Sequence, residues 1–234
     1  MKWKYAVPII ILLSAMTFLS FRNPKRQEKD CGFVQNVYGQ RVSWKTKFPI
    51  PLVIHASVPP ELRPAIYRAA NTWESQIGSK VFEISEDSTK ISGVPLHDQK
   101  NGIYFLSEWE SDRSLEQGRT NVLWAGDEIQ EADIRINGAN FSYYNLNPQE
   151  FYRSFGVSTE QKATAVGYSF EALVLHEMGH FLGLKHRENL GEDLGTVMAT
   201  HLAAFVDRTQ LSVSDQGSIR CEYLDTKNRF SFLN

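Results

Sequence analysis

The sequence predicts an α+β domain, and three observations carry that prediction. Runs of strand length, apolar or alternating, recur at 48–55, 81–84, 102–106, 120–124 and 132–137. Two longer segments, 61–77 and 170–182, place their apolar residues at helical spacing. A stretch rich in Asn, Tyr and Pro over 139–160 reads as a surface connection between the last strand and the second helix.

Each element has its own justification. The segment from Phe48 to His55 reads as the first strand, with its prolines near the start and Pro59 and Pro60 ending it. From Glu61 to Ile77, residues Leu62, Ile66, Ala69, Ala70, Trp73 and Ile77 share one helical face. Pro64 sits in the first turn, where a missing N–H is harmless, and Gly78 supplies the stop. Val81–Ile84 alternates as a short strand, and Gly102–Leu106 is a continuous apolar run suited to a buried one. Thr120–Trp124 ends before Gly126, and Ala132–Asn137 alternates up to Gly138. Residues 139–160, rich in Asn, Tyr and Pro, read as a surface connection. Phe170–Leu182 is the second strong helix. A last one runs from Leu211 toward Leu224, with Ser212 as N-cap and Asp215 placed for a capping box.

At 234 residues and 42% hydrophobic content, the chain can bury one core, in one domain or one domain with two lobes. A formal net charge of −2, with both signs mixed along the chain, gives no electrostatic reason to expect nucleic acid. The N-terminus differs from the rest: a basic Met1–Lys4, an apolar Ala6–Phe21, then charge again from Arg22. This predicts a signal peptide over 1–22, a polar lead-in over 23–45 and the main domain over 46–234. An uncleaved anchor is the alternative, and only then would a membrane be a partner. Either way the domain is expected outside the cytoplasm, secreted or periplasmic. There an even cysteine count favours a disulfide between Cys31 and Cys221, with two free thiols as the alternative.

The chemistry lies in the stretch from His176 to His186. His176 and His180 are four residues apart on a helix and project from one face, where two imidazoles can hold one metal ion. Glu177 follows the first histidine and can act on a metal-activated water as general base. Gly183 lets the helix stop and the chain reverse, bringing His186 back as a third ligand. Three nitrogen ligands leave a position open, as catalytic zinc sites require. With 6 histidines and 15 glycines in 234 residues, these five positions match by chance on the order of once in 10⁵ such chains. His55, His97 and His201 are scattered, and surface or hydrogen-bonding roles suit them.

At these residues the chain resembles the metzincin metallopeptidases, whose signature is H-E-x-x-H-x-x-G-x-x-H, and within them most of all the matrixins. Met198, in Gly195–Ala199, is similar to the methionine that sits in a tight turn beneath their metal. Softer matches run from Ala70–Trp73 through Glu131–Ile136 to Leu211–Ile219, so the resemblance spans roughly 48–225. It implies a twisted, mainly parallel five-stranded sheet with an antiparallel edge strand at Thr120–Trp124, two long helices, and a small lower lobe carrying the C-terminal helix. It implies one catalytic zinc ion and cleavage of a protein or peptide bound extended along the edge strand by a chain acting as a monomer. Side-chain choice would come from a pocket walled by residues just after Met198. A zinc-binding envelope protein of the same shape without proteolytic activity is the alternative. Matrixins also carry calcium, but no convincing acidic loop supports it here. Arg187 replaces their usual small hydroxyl residue after the third histidine. Of their cysteine-switch motif, P-R-C-G-x-P-D, only Cys31-Gly32 is present.

Overall fold

The computed structural model describes residues 28–45, 48–87, 98–145, 166–187 and 195–224. The segment 1–27 falls outside them, and with it the expected signal peptide and anchor, as does His97. Strands β1 (Ile50–Ile54), β2 (Phe82–Glu86), β3 (Gly102–Leu106), β4 (Gly118–Ala125) and β5 (Glu128–Asn137) form one sheet in the order β2-β1-β3-β5-β4. The pairs β1·β2, β1·β3 and β3·β5 are parallel, and β4 closes one edge antiparallel to β5. This is the expected α+β sheet, with the antiparallel strand on the edge. Burial follows position. β5 is buried from Glu131 through Asn137, and β4 is exposed over its last three residues.

Helix α1 (Arg63–Ile77) buries the predicted face, including Ile66, Trp73 and Ile77, and ends at Gly78 with φ 71°. It packs on α2 (Phe170–Phe181), where the Trp73 indole N–H donates to the Leu175 carbonyl at 3.0 Å. Helix α2 is buried over most of its surface, with Glu171, His176 and His180 as the residues that are not fully covered. The C-terminal helix α3 (Val213–Ile219) begins at Ser212 with the capping box in place and runs into a π turn over Arg220–Leu224.

Two stretches differ from their sequence reading. The lead-in is not peripheral: Phe33, Val42 and Trp44 are buried in the main core. The Trp44 indole donates to the Phe181 carbonyl at the end of α2 at 2.7 Å. Only three of its apolar side chains are fully buried, and the polar Arg41 and Ser43 are buried among them, so no clear periodic signal shows in the sequence. The packing therefore shows no boundary at residue 45. Within 139–160, Tyr143–Tyr144 forms a buried strand, β6, pairing parallel with Tyr168–Ser169, β7. Two adjacent tyrosines among polar neighbours carry no alternation that would announce such a strand.

Cys31 and Cys221 are joined by a disulfide with a Cα–Cα distance of 6.2 Å, tying the lead-in to the C-terminal turn. Beside it the buried Glu222 accepts from Arg41 and Ser43 and pairs with Lys45. Cys31 therefore offers no free thiolate to a metal.

Candidate active site

Helix α2 places His176 and His180 on one face, and the chain past it brings in the third histidine. Gly183 turns with φ 101°, a conformation that disfavours side chains, and a Cβ there would collide with the Val42 carbonyl of the lead-in. The turn is held by Leu184 N–H donating to the Gly179 carbonyl at 2.9 Å. Beyond it, Arg187 N–H donates to the Met198 carbonyl at 2.9 Å, which docks the His186 segment on the Met198 turn. Met198 is 1% exposed and packs under the helix. Gly179, between the two helical histidines, leaves room for its sulfur, which a Cβ would strike.

The three Nε2 atoms lie 3.0, 3.1 and 3.2 Å from one another. His176 Nδ1 donates to the Val197 carbonyl at 2.6 Å, and His180 Nδ1 donates to the Leu184 carbonyl at 2.8 Å. Those bonds put the proton on Nδ1 and leave the Nε2 lone pair free. Lone pairs converging without a proton between them call for a cation. Zinc–nitrogen bonds of about 2.0–2.1 Å in a tetrahedral shell set nitrogens about 3.3–3.4 Å apart, close to the spacing observed. Burial lowers the pKa of His176 to about 3, helped by the charge of His180, and burial lowers that of His180 to about 4. His186 is lowered too, first by burial and then by His201. These shifts all favour the neutral ring that a metal ligand must present.

Glu177 is 3% exposed and is seated against the edge strand. The Thr120 hydroxyl lies 2.7 Å from its Oε2 and 3.0 Å from its carbonyl oxygen, and can donate to one at a time. Gly118 faces the same carboxyl, and a Cβ there would stand 2.9 Å from Oε1. Burial pushes the Glu177 carboxyl up to about 7, against the Thr120 bond, which lowers it. The three histidines and Glu177 line one cleft of about 620 Å³, bounded by β4 on one side and by Ala199–Leu202 on the other.

Three participants were not foreseen: Thr120, Arg208, and Asp215 as more than a cap; the exposed His201 lines the cleft within the wall expected just after Met198. Asp215 is fully buried and reaches across to the Met198 turn, accepting from Thr196 Oγ1 at 2.5 Å and Val197 N–H at 2.9 Å. Val197 in turn orients His176. None of these pairings has a local sequence signal, since the partners are 18 or more residues apart.

The Matrixin family model (Peptidase_M10) matches residues 14–224. No curated protein sequence matches the chain. Among solved structures, high choriolytic enzyme 1, a hatching enzyme zinc-protease from the medaka Oryzias latipes, aligns with a TM-score of 0.39 and 11% identity, over 83% of this chain and 94% of that one. At that distance the likeness assigns nothing to individual residues. The family match spans nearly the whole described chain, its histidines stand as metal ligands must, and the chain belongs to the matrixin family of zinc metallopeptidases.

Proposed function

We propose that the chain is a secreted or otherwise extracytoplasmic zinc endopeptidase in which His176, His180 and His186 hold the metal and Glu177 is the general base. The observation that carries this reading is the convergence of three imidazole Nε2 atoms within 3.2 Å, in the cleft that the Glu177 carboxylate lines. Zinc, when bound, supplies a Lewis acid that acidifies water and polarises a carbonyl. Glu177 takes the proton from the attacking water and returns it to the leaving amine. Thr120 holds the carboxylate in place, and Val197 and Leu184 fix the two helical imidazole rings through their carbonyls.

The substrate is an extended peptide. β4 is an edge strand on whose outer side no strand pairs among the described residues, and its exposed Leu123 and Trp124 offer apolar contact. An added strand would run through the cleft past the histidines. The disulfide supports an oxidising compartment, and a monomer suffices because one chain supplies every group named. The test is cleavage of casein or quenched peptides by the zinc-loaded protein and by Glu177→Gln. Chelation should abolish activity and zinc should restore it. Equal rates in wild type and Glu177→Gln would end the assignment of Glu177, and activity indifferent to chelation would end the zinc reading.

A further inference from the structure

Arg208 lines the same cleft as His176 and Glu177, on the wall that follows the Met198 turn. Its Nη2 donates to the His201 carbonyl at 3.1 Å, which anchors the guanidinium to that wall. Among the described residues it makes no ion pair. The nearest influential carboxylate is Asp215, which is fully buried and already accepts from Thr196, Val197 and Ser212. Arg208 is half-buried, and burial is the main influence on its guanidinium, which stays charged at any pH of interest. Its field reaches the centre, where it disfavours protonation of His176. A guanidinium partly stripped of water and short of a counter-charge gains most from a ligand that brings a carboxylate, which it can grip with two N–H donors.

We infer that Arg208 is a specificity-determining residue and that the substrate side chain entering this wall of the cleft, next to the scissile bond, is Asp or Glu. This rests on the peptidase reading above and gives it a substrate class. The rest of the wall offers little competition. Ala199, Thr200 and Leu202 carry no charge, and His201 adds only an imidazole ring. A lysine or arginine side chain entering here would meet like charge, and an amide would leave the guanidinium without its counter-charge.

The experiment uses the zinc-loaded chain and matched quenched peptides carrying Glu, Asp, Gln, Asn, Leu or Lys at one position, on either side of the cleaved bond. The expected result is a kcat/KM for Glu or Asp at least tenfold above Gln or Asn at one flanking position. The ratio should fall toward one in Arg208→Gln and be partly kept in Arg208→Lys, with zinc content and melting temperature unchanged in both. Preference for Leu over Glu, or a ratio unmoved by Arg208→Gln, overturns the inference. Binding of the same peptides to the Glu177→Gln protein, followed by fluorescence polarisation, separates this from failure of the peptidase reading. Tenfold tighter binding of the Glu peptide than the Gln peptide, abolished when Arg208→Gln is added, upholds the acidic preference even if nothing is cleaved. Equal binding of the two peptides overturns it even if cleavage is efficient.

Discussion

Replacing Asp215 by alanine removes one carboxylate that serves two places at once. The side chain is fully buried and accepts from the Thr196 hydroxyl, the Val197 amide, and the Ser212 amide and hydroxyl, at 2.5 to 2.9 Å. Alanine strands the first two donors away from water, at about 1–3 kcal/mol each, and takes one half of the capping box. Not all of these losses add, because the freed turn can relax, so the expected destabilisation is about 3–5 kcal/mol. In a chain of this size that lowers the melting temperature by about 6–20 °C. Asn should cost less, since it keeps acceptor capacity but turns an N–H toward donors. The loss should also reach the metal, because the Val197 carbonyl orients His176. A residue that fixes a ligand in this way typically changes metal affinity by about tenfold or more. Thermal melts with and without zinc, and competition titration of zinc, measure both effects. A melting temperature within 2 °C or so of wild type would show that Asp215 does not hold the Met198 turn, and the reasoning would fail.

Three further outcomes are expected. Thr120→Val removes the hydroxyl that steadies the charged form of Glu177. The acid limb of the kcat/KM profile should move to higher pH and kcat should drop on the order of tenfold, with Thr120→Ser restoring both; an unmoved acid limb would mean that the contact is incidental. Because burial holds all three imidazoles below their ordinary pKa of 6.5, the folded chain carries fewer protons than the unfolded one as pH falls below that value, so acid destabilises the metal-free fold. His176 and His180, held at about 3 and about 4, do not take up protons near pH 6.5, so zinc affinity measured on folded protein should fall by no more than about tenfold per pH unit below that value, the slope of a single titrating ligand; a fall of about a hundredfold per unit would contradict the burial of the two helical histidines. Reducing the Cys31–Cys221 bond, which closes a loop with a sequence separation of 190, should lower unfolding free energy by about 4–5 kcal/mol in urea titrations; a change below about 1 kcal/mol would show that the lead-in is held by packing alone.

The sequence by itself determined the parts of this protein whose physics is local. Helical periodicity placed α1, and two histidines at a spacing of four followed by a glycine turn sufficed to pick out the three imidazoles that the structure brings together, because covalent connection keeps them close. Ser212 and Asp215 announced a helix start for the same reason. Strand ends were drawn short in the case of β4 and β5, whose outer residues pair with each other without alternating cleanly. What only the tertiary structure decided are the relations between distant segments. Phe33 and Trp44 become core because α2 ends beneath them. Thr120 meets Glu177 only because the edge strand passes the helix, and Arg208 faces the cleft only because the chain after Met198 folds back along its wall. Such contacts depend on how elements pack, and a pattern read along one segment carries no information about the side chains another segment will bring to it.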